Sequence, residues 1–346
     1  MAAYTTIDNP ELYFQTVLYT GNGSTQTISY PNADADLTAD MIWIKQRSQE
    51  TSHTIFDSVR GVQEAIFTNN INAETTRTDA VSAFGTDGFD LGANGDLNAN
   101  TETHVAWCWK ANGTGSANTE GNTDTTISAN TTAGFSIIDG CDDLNDNDTF
   151  GHGLNSAPNL VIMKRVDDVS GWRVFYTGIT DGSTLLLNST AAVAGDSATV
   201  GPVSSTLITV EGSGTGGNEG DNENVAYAWH SVQGYSKIGT YKGNANADGT
   251  FVYTGFRPAF VLLKNSTGGN GWEMRDNKRP GYNLSSGTLA PSSSDAETTG
   301  EGIDILSNGF KLRASGNGQN GDNTYMYMAF AEAPFVNSNG VPCNAR

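Results

Sequence analysis

The stretch VAWCWK, residues 105–110, places two of the chain's six tryptophans two residues apart. Side chains on a strand alternate between its faces, so Trp107 and Trp109 would point the same way. They form either an aromatic shelf for a ligand or part of a core, and recurrence decides between the two. NVAYAW occupies residues 224–229 and YMAFA residues 327–331. Aligned on Ala106, Ala226 and Ala329, each alanine stands between an apolar residue and an aromatic one. A strand that recurs with apolar residues on both faces reads as a central core strand. The tryptophans are then packing residues.

A second signature recurs upstream. MIWIK ends at Lys45, LVIMK at Lys164 and FVLLK at Lys264, and a ring follows eight residues after each lysine: His53, Trp172 and Trp272. The alanines follow these lysines at nearly constant intervals. Gly-Phe precedes the first and third alanine strands, at Gly88-Phe89 and Gly309-Phe310. The spacing predicts three tandem repeats, each large enough to hold its own core. Their bounds are 1–125, 131–237 and 238–346, with a Gly/Ser/Thr/Asn-rich linker at about 111–133 that leaves the first unit free to move. Short apolar runs separated by Gly, Asn, Asp and Ser clusters predict an all-β chain of three antiparallel β-sandwiches. The one helix candidate is SVRGVQEAIFTNN, residues 58–70.

Composition narrows the function. The net charge is −20, which disfavours nucleic acid, whose phosphates need a basic face, and an anionic membrane surface equally. Cys108, Cys141 and Cys343 are too few and too scattered for a disulfide framework or a cysteine zinc site. The first residues lack the basic and apolar regions of a signal peptide, and no apolar run reaches membrane-spanning length.

The segment AYAWHSVQGYSKIGTYKGNANADGTFVYTGFRPAFVLLKN, with SNGFKL and TYMYMAFAEAPF, resembles a tandem-repeat family of tailed-phage virion proteins. MIWIKQRS, HTIFDSVRG, GTDGFDLG and HVAWCWKANG resemble its N-terminal unit. The resemblance runs over roughly residues 13–335. It implies a concanavalin-like or jelly-roll sandwich and a place on the virion, assembled in host cytoplasm. Two roles follow: a tail fibre or receptor-binding protein adhering to host surface glycan, or a head decoration protein binding capsid subunits. Other virion subunits are the expected partners, and a homo-oligomer in the particle is expected.

No catalytic motif stands out, so the chain reads as a non-enzyme, with a glycan hydrolase as the third reading. His53, Trp172 and Trp272 are the repeated candidates for stacking on a sugar, since the two tryptophans follow glycines in polar loops. CDDLNDNDTFG, residues 141–151, is the calcium candidate, through Asp143, Asn145, Asn147 and Asp148. It lacks the sixth-position glycine and terminal glutamate of an EF-type loop, which favours an acidic surface turn. The EGDNEN loop, residues 219–224, is a weaker candidate.

Overall fold

The computed structural model describes residues 4–32, 36–196, 199–211, 222–279 and 281–343. Residues 219–221 of the EGDNEN loop therefore lie outside the described residues. The chain is all-β, and its described residues form six antiparallel sheets and one 3₁₀ turn at Pro10–Leu12.

The recurrent strands sit at the centres of three large sheets. Thr103–Trp109 lies between Phe14–Thr20 and Met41–Gln46 in a six-stranded sheet. Asn224–Trp229 lies between Phe135–Asp139 and Leu160–Arg165 in an eight-stranded sheet. Thr324–Pro334 lies between Ser236–Lys242 and Phe256–Asn265 in a four-stranded sheet. A second sheet faces each of them, three-stranded for the first two and four-stranded for the third. These carry Gly88–Leu91, Leu207–Glu211 and Gly309–Leu312 respectively at inner positions.

Alternation along the central strands explains the core. Ala106 and Cys108 face the first small sheet, in a cluster with Ile42, Ile44 and Phe89. Ala226 and Ala228 do the same with Val161, Met163 and Ile208. Tyr327 and Ala329 join Val261, Leu263 and Phe310. The alternate residues face the other way: Val105, Trp107 and Trp109; Val225, Tyr227 and Trp229; Met326, Met328 and Phe330. All nine enter one further cluster, which also holds Trp43, Trp172 and Trp272, so it takes every tryptophan in the chain. The three large sheets thus pack back to back around one shared core. That is why the strands are apolar on both faces although each sheet is antiparallel.

Strand register corrects the alignment read from sequence. Lys45 pairs with Val105, Lys164 with Val225 and Lys264 with Met326. The equivalent of Ala106 and Ala226 is therefore Tyr327, and Ala329 stands two residues further on. A slip of two keeps a residue on the same face, so the apolar pattern could not reveal it.

Two other expectations change. Residues 58–70 carry the strand Gly61–Phe67 instead of a helix. The Asp57 carboxylate accepts from the Val59 and Arg60 amides, which makes a tight turn and folds Gly61 back opposite Asp57. The expected linker holds the strands Ser116–Asn118 and Thr125–Asn130 of the eight-stranded sheet, and Ala111 and Ala133 are buried in the shared core. These contacts oppose free movement of the first unit.

Candidate functional site

The repeated rings mark the junctions between the three sheet pairs. Trp172 is fully buried, and its Nε1 donates to the Phe67 carbonyl of the first pair at 2.8 Å. Trp272 is equally buried and donates from Nε1 to the Leu186 carbonyl of the second pair at 3.0 Å. His53 accepts on Nδ1 from Trp43 Nε1 at 3.1 Å and faces the Ala290 backbone of the third pair. A ring with no exposed face cannot stack on a sugar, so the expectation of a glycan shelf at His53, Trp172 and Trp272 is corrected. Each ring is a wedge into its neighbour.

Backbone bonds close the same junctions. Glu74 N donates to Val166 O (2.8 Å), Val193 N to Ser266 O (2.9 Å) and Glu297 N to Arg47 O (2.7 Å). Each acceptor lies two residues after a repeat lysine. First meets second, second meets third and third meets first, so the arrangement is a closed ring. The lysines themselves are buried against carbonyls. Lys264 Nζ donates to Thr190 O across a junction at 2.9 Å, and Lys45 Nζ to Gln49 O at 3.0 Å. Burial pushes all three ammonium groups, Lys45, Lys164 and Lys264, down to about 8.

Buried ion pairs reinforce two junctions. Asp57 accepts from Arg60 Nε at 2.6 Å and from Tyr227 Oη of the second pair at 2.6 Å. Asp276 accepts from Arg279 Nε at 2.7 Å and from Trp107 Nε1 of the first pair at 3.1 Å. In the same register the third junction carries Tyr176 and Met328.

The acidic loop is tied to itself. The Asp148 carboxylate accepts from the Asn145 amide at 2.6 Å and from Asn122 Nδ2 at 2.6 Å. These bonds hold its pKa below the usual carboxylate range. Asn145 Nδ2 donates to the Asp143 carbonyl at 3.0 Å, and Asn147 turns with φ at 68°. Among the described residues, no group of three His, Cys, Asp or Glu comes together to hold a metal. Within the turn, the Asp148 carboxylate and the Asp143 carbonyl thus act as acceptors.

The open surface lies elsewhere, beneath the N-terminal segment. A shallow groove of about 510 Å³ runs along Tyr4–Thr6, Thr131, Thr132 and residues 230–233. A second stretch of about 390 Å³ continues it past Lys237 to Tyr253–Gly255. Tyr4 Oη donates to Gly255 O at 2.9 Å and lies 3.3 Å from Tyr253 Oη. Thr5 Oγ1 donates to Gln233 O at 2.8 Å. Gly255 has φ at +88°, and a Cβ there would stand 2.8 Å from Tyr4 Oη, so glycine permits this closure. Tyr253 is 48 % exposed with the Lys237 ammonium 5.1 Å from its ring centre. The groove offers hydroxyls, an amide and an exposed aromatic ring, a set suited to a polar, ring-shaped ligand.

Residues 9–334 match a domain family described as a domain of unknown function, DUF7483. The chain belongs to the DUF7483 family. No curated protein and no solved structure matches it.

Sequence reasoning missed the groove residues of this DUF7483 chain. Tyr4, Thr131, His230 and Tyr253 come from four distant segments and carry no shared spacing.

Proposed function

We propose that this DUF7483 chain is a non-enzymatic structural protein on the exterior of a tailed-phage particle, built as three tandem copies of one antiparallel β-sandwich. It acts by adhesion to host surface glycan, through the groove beneath Tyr4. The observation that carries the reading is the closed ring around one aromatic core. Such a body is rigid, and its tryptophans are committed to its interior. What remains for recognition is shallow polar surface with a few exposed rings, a surface that binds without reorganising. The resemblance of its motifs to virion proteins supplies the setting.

One observation favours the second reading, a head decoration protein. Ile71 and Val169 are 48 % and 59 % exposed, and Ser170 N donates to Ile71 O at 2.9 Å, which holds them side by side at a junction. An apolar pair of this kind suits contact with another virion subunit.

Two measurements test the proposal. The purified protein should adsorb to host cells, and antibody labelling should place it on the tail. Labelling on the head, with no adsorption, selects decoration. Release of reducing sugar from host polysaccharide overturns the non-enzymatic assignment.

A further inference from the structure

The groove has an unassigned end. Tyr253 pairs with Gly309, and Gly255 N donates to Asn308 O at 3.2 Å. Across that contact opens a pocket of about 350 Å³, lined by Arg257, Tyr282, Asn283 and residues 305–308. Arg257 belongs to the GFRPAF stretch, and Ser307 and Asn308 belong to SNGFKL.

The pocket's chemistry is specific. Arg257 Nε lies 3.0 Å from Glu332 Oε2, while Tyr282 Oη donates to Glu332 Oε1 at 2.8 Å. The guanidinium stands 5.6 Å from the Tyr282 ring centre. Among the described residues, neither Arg257 Nη group nor the Asn308 side-chain amide has a hydrogen-bond partner. The Asn308 backbone is fixed by Thr254 N and Gly255 N. Arg257 and Asn308 therefore line the same pocket with donors unused, together with the Tyr282 ring, Ile305 and Leu306.

We propose that this pocket binds one neutral sugar residue at the end of the groove, with vicinal hydroxyls accepting from the Arg257 fork and Asn308. This rests on the adhesion reading and names its ligand class. A planar fork matches two oxygens on adjacent carbons. Glu332 cancels the charge of Arg257, so the site is neutral overall. A chain of net charge −20 also repels an anionic ligand at long range. Both effects select a neutral sugar over a uronic acid.

Saturation-transfer NMR tests this on the full chain, with glucose, galactose, mannose and N-acetylglucosamine each at about 10 mM, suited to millimolar affinity. Galacturonate serves as the anionic probe. Transfer from at least one neutral sugar is expected, reduced about tenfold or more in Arg257→Met and in Asn308→Ala. Among the described residues the Asn308 side chain makes no hydrogen bond, so Asn308→Ala keeps the test open if Arg257→Met misfolds. No transfer from the four sugars, transfer from galacturonate alone, or transfer unchanged in a folded variant each overturns the proposal. Cell adsorption by the wild-type protein, measured in parallel, separates the two readings. If adsorption persists where sugar transfer fails, the pocket assignment is lost and adhesion stands.

Discussion

A buried lysine that forms no salt bridge among the described residues is a costly residue to use three times. Lys264 shows how it is tolerated: its Nζ donates to Thr190 O and Asn270 O, and desolvation alone pushes it down to about 8. An unfolded lysine titrates near about 10.4, so the folded chain binds fewer protons between these values. Its contribution to stability therefore grows as pH rises from about 8 to about 10.4. Cys108 and Cys141 act in the opposite sense, because burial pushes both thiols up. The clean observable is the difference between wild type and Lys264→Met. The melting temperature of the wild type should gain roughly 2–4 °C on the variant between pH 7 and 10. A pH-independent gap means the ammonium keeps its proton throughout. The sequence placed these lysines at strand ends and marked their interval to the rings. It could not say that the rings are wedges, because a Gly-Trp pair in a polar loop looks the same whether the loop meets water or another sheet.

At the scale of elements, the junctions differ in a way that their register makes readable. Where the central strand offers a donor, Trp107 or Tyr227, the neighbouring strand ends in an aspartate with an arginine three residues on. Where it offers Met328, the aligned position is Tyr176. Donor and acceptor vary together, as removing one member of a buried pair strands the other. Asp276→Tyr alone should cost about 3–5 kcal/mol, since Arg279 would lose its buried partner. Adding Trp107→Met recreates the third junction's pair. The double variant should be less destabilised than the sum of the singles by about 1 kcal/mol or more, measured by urea denaturation. Strict additivity removes the case for coupling. The strands themselves were legible from short apolar runs and the turn residues between them. Which of two cores each residue entered was not, since both faces are apolar. The Gly61–Phe67 strand was misread because VQEAIF suits a helix locally, while the Asp57 turn decides otherwise.

At the scale of the molecule, the shared core makes the parts interdependent. Removing residues 1–130 would expose Tyr227, Trp229, Phe260 and Phe330, which now pack on the first sheet pair. Calorimetry of the full chain should show one transition, and residues 131–346 alone should aggregate or fail to melt cooperatively. Three separable transitions would mean that the pairs fold independently. The long-range closure was invisible in the sequence, because it depends on loops that meet only after every sheet has formed. It also bears on valence. A homotrimer of identical subunits would carry three copies of any pocket, and its grip on a surface would multiply by simultaneous engagement. In this chain, the positions aligned with Arg257 are Thr38 and Ala157, and Asp87 stands where the third pair has Asn308. The third sheet pair therefore differs from the other two at the pocket positions. On the proposal made above, each chain carries one such pocket, and repeated attachment would come from the number of chains that face one surface.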